Sequence, residues 1–255
     1  MKKSQTKKDE KIQFLTKALK NNMAASERHN VKTKRTIHDL KAIKPLNQPQ
    51  QRMFESYFTG NYIIANGVAG TGKTFAAIYL GLNDVLSAKS PQKKIRIVRS
   101  VVPSREVGFL PGDIHEKLEP YELPYKDIFS ELLGGYREYD LMKGYNQVEF
   151  ISTSFVRGLT WDNSVIIIDE VQNLNFHEIN SIVTRVGNDS KLIVVGDNFQ
   201  TDLYKSNRDL SGMEKFIKVA AKVPMFDEIT FLTEDIIRSE FVKSWICALE
   251  ETNIG

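Results

Sequence analysis

The chain reads as an α/β domain, a mostly parallel sheet with helices on both faces, preceded by a basic arm. Three observations predict this. Short β-branched runs recur between helical or loop segments along most of the sequence. Some of them, such as Val165-Ile166-Ile167-Ile168, are apolar without alternation, as strands buried on both faces must be. One run passes through a glycine-rich turn directly into a helical pattern. With 41% hydrophobic and 26% charged residues among 255, the chain can bury a sizeable core.

Residues 1–44 carry 13 Lys/Arg against 4 Asp/Glu, whereas the remainder carries 22 against 28. Ile12 to Ala25 has some helical periodicity, but the Lys, Gln, Asn and Ser around it argue against a core contribution before about Ile43. A domain boundary is therefore placed near Pro45, with 45–255 as the folded domain. The arm suits either a solvated tail or salt-sensitive contact with nucleic-acid phosphates. Beyond it, a helix is predicted at Gln50–Phe58, a strand at Tyr62–Ala65, and a helix from Lys73 to about Ala88. Further strands are expected at Ile95–Arg99, Val148–Ser152, Val165–Asp169, Leu192–Val195 and Ile229–Leu232.

Several classes drop out. No apolar run approaches the roughly 20 residues of a membrane span, and the lysine-rich start lacks the apolar stretch of a secretory signal, so a cytoplasmic protein is expected. The single cysteine, Cys247, excludes an internal disulfide and reads as packing in a terminal helix. His29, His38, His115 and His177 show no metal-ligand spacing, and no Ser/His/Asp arrangement suggests a hydrolytic triad.

The turn itself is Gly67-Val68-Ala69-Gly70-Thr71-Gly72-Lys73-Thr74, which satisfies G-x-x-x-x-G-K-[ST] between a strand and a helix. Its glycines let backbone N–H groups converge on phosphate oxygens, the helix start adds positive dipole, and Lys73 reaches the β- and γ-phosphates. Thr74 offers a hydroxyl to Mg²⁺. Cleavage needs an acid at a neighbouring strand end, and Asp169-Glu170 closes the apolar run that starts at Val165. Asp169 is assigned to the metal through its water shell and Glu170 to deprotonation of the attacking water. Gln200, in the Gly196–Gln200 stretch that ends the run Lys191–Val195, is assigned as a γ-phosphate sensor. ATP with Mg²⁺ is the expected ligand pair.

Taken together, these residues resemble the PhoH family, single-domain relatives of superfamily 1 helicases, over roughly Pro45 to Glu250. Three stretches carry the resemblance. Arg99-Ser100, then Val107-Gly108-Phe109-Leu110-Pro111-Gly112-Asp113 and Lys117-Leu118-Glu119-Pro120-Tyr121, is similar to the family's signature segment. Arg157-Gly158-Leu159-Thr160 leads into Asp169-Glu170-Val171-Gln172-Asn173, and Thr184-Arg185-Val186-Gly187 leads through Gly196-Asp197 to Gln200 and Asp202-Leu203. Ser239 stands where the family usually shows a histidine, and Leu159 where an arginine is common.

The resemblance implies a single RecA-like lobe that hydrolyses ATP. It assigns Gln50 to the adenine edge and Arg238 to charge on the transferring γ-phosphoryl group. One lobe is half of a helicase site, so the resemblance also implies a head-to-tail homo-oligomer, with a hexameric ring as the form it suggests, if Arg238, Arg185 or Arg157 acts across subunits. The favoured activity is an ATP-driven motor on RNA or single-stranded DNA, with Arg99–Tyr121 and the basic arm along the strand. Phe109, Tyr121 and Tyr125 are its candidate stacking faces. The alternative is an ATP-dependent switch acting on a protein partner. A metabolite kinase is disfavoured, because Glu170 and Gln200 suit attack by water.

Overall fold

A computed structural model describes residues 34–101, 114–156, 158, 160–197 and 212–252. The chain divides into two units, Met1–Lys34 and Arg35–Gly255. The second is built on one sheet of six parallel strands: β1 (Tyr62–Gly67), β2 (Lys94–Arg99), β3 (Val148–Ser152), β4 (Ser164–Asp169), β5 (Lys191–Gly196) and β6 (Phe226–Phe231). Their order is β3-β2-β4-β5-β1-β6. Seven helices accompany them among the described residues: α1 (Gln48–Phe58), α2 (Lys73–Leu86), α3 (Ile114–Leu133), α4 (Glu138–Gly144), α5 (Phe176–Val183), α6 (Gly212–Ala220) and α7 (Glu240–Thr252).

Successive strand residues point to opposite faces, and here each face has its own core. Ile63, Ile95, Ile97, Val165, Ile167 and Ile193 pack with Tyr57, Leu80, Phe129 and Tyr139 beneath α1 to α4. Their neighbours Ile64, Val98, Ile166, Ile168, Leu192 and Val194 pack with Ile179, Ile182 and Phe216 beneath α5 and α6. That division is why β4 and β5 read as unbroken apolar runs. β6 is one of the two edge strands and, among the described residues, pairs with β1 alone, from Tyr62↔Phe226 to Gly67↔Phe231. It begins earlier in the sequence than its apolar part suggested, because Asp227 and Glu228 lie on the less buried stretch of an edge. Leu232, expected to end the strand, is exposed beyond it.

The folded unit also starts ahead of the boundary expected near Pro45. Arg35 donates from Nε and Nη2 to the Glu138 carboxylate, each at 2.6 Å. Lys41 N–H bonds to Leu132 O, and Ile37, Leu40 and Ile43 pack against the first core. These apolar residues are spaced too sparsely among lysines to announce a core segment. Residues 1–33 lie outside the described residues, as do Gln200, Arg157, Leu159 and all of 102–113, the part of the signature segment that includes Phe109. Among the described residues no helix is long and apolar enough to cross a membrane. Cys247 is half-buried on α7 rather than part of either core.

A candidate phosphate and metal site

The glycine-rich turn joins β1 to α2, and its geometry depends on residues that can take positive φ. Gly67, Gly70 and Gly72 have φ of 133°, 78° and 81°. At Gly67 the requirement is also steric, since a Cβ there would sit 1.9 Å from Phe231 O of β6. Only glycine lets the loop run against that edge strand, and Val68 N–H then bonds to the same carbonyl at 3.1 Å.

The turn is braced from its other side by the start of α1. Asn47 caps α1 through Oδ1, which accepts from Gln50 N–H, while its Nδ2 donates to Asp235 O at 2.8 Å and approaches Thr71 O at 3.4 Å. Gln50, 5% exposed, donates from Nε2 to Thr71 O at 2.9 Å and accepts Leu46 N–H at Oε1. Both ends of its amide thus hold backbone, and its contact in this structure is with the loop. Ile237 N–H bonds to Gly70 O at 3.1 Å. The exposed Arg238 lies beside Gly70 of its own chain, with Cγ 3.1 Å from where a Cβ on that glycine would stand.

Lys73 opens α2 and is buried. Its ammonium donates to Gly67 O at 2.7 Å and Val68 O at 2.6 Å, and approaches Thr71 Oγ1 at 3.4 Å. Burial lowers its pKa, an effect opposed by the charges of Asp197, Glu170 and Asp169. Lys73 is therefore oriented by the loop that it would serve, and phosphate oxygens would replace neutral carbonyls as its acceptors.

The acidic pair meets this loop directly. β5 lies between β1 and β4, yet α2 leans across so that Thr74 Oγ1 donates to Asp169 Oδ1 at 2.9 Å. The second carboxylate oxygen, Oδ2, accepts the Tyr125 hydroxyl at 2.6 Å. Tyr125 is 0% exposed and packs against Phe150 with ring centroids 5.9 Å apart. It is thus not a stacking face for a base; its role is in the site. Arg99 stands opposite Asp169 in the β2–β4 register, and its positive charge acts on the Tyr125 phenol. Because an ionised carboxylate only accepts, the phenol gives its own proton to the bond with Asp169. Burial disfavours the Arg99 cation, but Tyr125, Asp169 and Glu170 outweigh it and raise its pKa.

Glu170 leaves β4 in the left-handed region, φ 53° and ψ 42°. Burial raises its pKa, and the adjacent Asp169 adds to the rise. Its Oε2 accepts from Gln172 Nε2 at 2.6 Å. A hydroxyl and a carboxylate in contact form an all-oxygen donor set that suits Mg²⁺, which takes one or two such ligands and completes its octahedron with phosphate oxygens and water. The residues present therefore fit the ion.

Of the residues selected from sequence, the structure brings together Gly67 to Thr74, Asp169, Glu170, Gln50 and Arg238. Arg185 lines a separate hollow of about 320 Å³ with Thr153, Ser154, His177, Glu178 and Ser181. Sequence reasoning gave no role in the site to Asn47, Arg99, Tyr125 or Gln172. Asn47 carries a readable signal, an N-cap residue ahead of Pro49. Arg99 does not, because its partner depends on strand order.

A glycine-rich loop between a parallel strand and a helix, joined through Thr74 to an Asp-Glu strand end, defines a P-loop NTPase. Residues 42–250 match the PhoH-like protein family, and the chain belongs to it. It is 30% identical over 214 residues to the PhoH-like protein of Bacillus subtilis strain 168, covering 84% of this chain and 66% of that protein. To protein PhoH of Escherichia coli K12 it is 31% identical over 207 residues, covering 80% and 57%. To protein PhoH2 of Bacillus subtilis it is 33% identical over 166 residues, covering 63% and 37%. The chain thus spans less than two thirds of the length of these relatives. Among solved structures it is similar to the Pif1 helicase of Candida albicans, with TM-score 0.43 and 16% identity over 82% of this chain and 44% of that one.

Proposed function

We propose that this protein is a cytoplasmic Mg²⁺-dependent ATPase that couples hydrolysis to binding or unwinding of RNA or single-stranded DNA. The observation that supports it most is the 2.9 Å contact between Thr74 and Asp169, which puts the phosphate loop and the acidic strand end into one site. Thr74 and Asp169 would hold Mg²⁺ there, and its charge would offset the negative charge developing on the phosphates. Lys73 holds those phosphates, and Glu170 accepts the proton of the attacking water. Burial suits Glu170 to this task, because a carboxylate with a raised pKa is a stronger base. Gln200 senses the γ-phosphate and Arg238 stabilises its charge. Gln50 reaches an adenine by exchanging its hold on Thr71 O.

The basic residues of 1–44 support the nucleic-acid part, since they neutralise phosphates irrespective of sequence. A head-to-tail homo-oligomer, with a hexameric ring as its closed form, extends the proposal. Arg238 already stands at its own loop, so a trans-acting arginine would be Arg185 or Arg157. Light scattering on the eluted protein tests this, and a monomer with full turnover removes it.

Steady-state ATP turnover with and without single-stranded RNA or DNA at low salt tests the main reading. Stimulation by the strand is expected; turnover indifferent to it points to a switch acting on a protein partner. Lys73→Ala is expected to abolish nucleotide binding or turnover. Glu170→Gln is expected to bind nucleotide without hydrolysing it, and normal turnover by that variant would remove Glu170 as the base.

A further inference from the structure

Gln172 is 2% exposed in the short 3₁₀ turn Val171–Asn173 that follows Glu170. Its amide spans two elements of the site. Nε2 donates to Glu170 Oε2 at 2.6 Å, and Oε1 accepts the backbone N–H of Asp197, at the exit of β5, at 3.0 Å. The orientation of the amide is unambiguous, because a backbone N–H only donates and an ionised carboxylate only accepts. Gly196 makes the approach possible. A Cβ there would stand 2.5 Å from Val171 Cγ1 and 3.1 Å from Gln172 Oε1, so any other residue would push the turn off the strand end.

We propose that Gln172 is the positioning residue of the water-activating carboxylate: it holds one oxygen of Glu170 and registers that side chain against the end of β5. The inference rests on the reading of Glu170 as the base. A glutamate in the left-handed region is strained, and it keeps a single side-chain direction only where its surroundings fix it. With Oε2 held by the amide, Oε1 is the oxygen presented to water. Asp197 leads into the segment that carries Gln200, so any shift of the chain at Asp197 pulls on the same amide and turns the base.

The test uses the full chain, saturating Mg²⁺ and a fluorescent ATP analogue for affinity. Gln172→Met keeps the size and removes both hydrogen bonds; Gln172→Glu keeps the acceptor for Asp197 N–H and removes the donor to Glu170. Both are expected to bind nucleotide within about twofold of wild type while kcat falls about 10–100-fold, the scale of a misplaced catalytic group. Unchanged kcat in either variant overturns the proposal. So does a fall in kcat matched by an equal loss of affinity, which marks general disruption of the site. If the methionine variant does not fold, the glutamate variant alone decides by the same criteria. Glu170→Gln is measured alongside: if it hydrolyses ATP normally, the reading of the base has failed, whereas if only the Gln172 variants do, the positioning role has failed.

Discussion

Replacing Tyr125 by Phe deletes one oxygen and leaves the ring against Phe150, so it isolates the hydroxyl that donates to Asp169. A hydrogen bond to a charged group contributes about 1.5–3 kcal/mol. Tyr125 is 0% and Asp169 3% exposed, so solvent is a poor replacement for the lost donor. For a folded unit of this size, that loss corresponds to a fall in Tm of about 3–12 °C. A second consequence concerns the metal. With Oδ2 released, Asp169 is free to rotate toward the Arg99 guanidinium, and its Oδ1 is no longer held against Thr74. The Mg²⁺ concentration for half-maximal turnover is therefore expected to rise about tenfold, the scale seen when groups orienting a metal ligand are removed. Urea unfolding reads the first effect. Mn²⁺ binding followed by electron paramagnetic resonance reads the second without relying on turnover. Stability within about 0.5 kcal/mol of wild type together with unchanged Mn²⁺ affinity would refute the argument.

Two further outcomes follow from the geometry. Gly67→Ala forces a Cβ into Phe231 O in a backbone region that alanine avoids, so it is expected to destabilise by about 2–4 kcal/mol and to weaken nucleotide binding; a wild-type melting curve would contradict this. Glu170→Gln is expected to raise Tm near pH 8. The folded-state pKa of Glu170 lies above its unfolded value, so the ionised carboxylate costs stability above the folded pKa, and the cost disappears as pH falls below the unfolded value near 4.5. The two proteins should therefore converge in acid, and a constant offset across pH would show that ionisation is not the cause.

The strands were legible where both faces are buried. β4 and β5 have no polar interruption, and the turn after β1 is specified by chemistry that only a phosphate loop needs. β6 was partly legible, because an edge strand need not be apolar on its open side. Helix α3 was harder to see: Pro120 and Pro124 lie inside it, each forfeiting a backbone donor, yet packing of Tyr125, Phe129 and Leu132 keeps it continuous. Tyr125 shows the limit most clearly. An aromatic near a basic segment suggests stacking on a base, and nothing in its neighbours along the chain says that its hydroxyl meets Asp169. That contact depends on which strand lies beside which, and the order β2-β4-β5-β1 is set by the crossovers rather than by any single run of residues. Gln172 was visible as a residue, but its second partner is contributed by the next strand.

The loop from Gly67 to Thr74 is gripped by Phe231 on one flank and by Asn47 and Gln50 on the other, with Lys73 tucked into its carbonyls. An arriving nucleotide thus finds a mould that is already set. The freedom that a slack loop would surrender at encounter was lost when the chain folded, so capture should be rapid, and selectivity should rest on how willingly the lysine trades its acceptors.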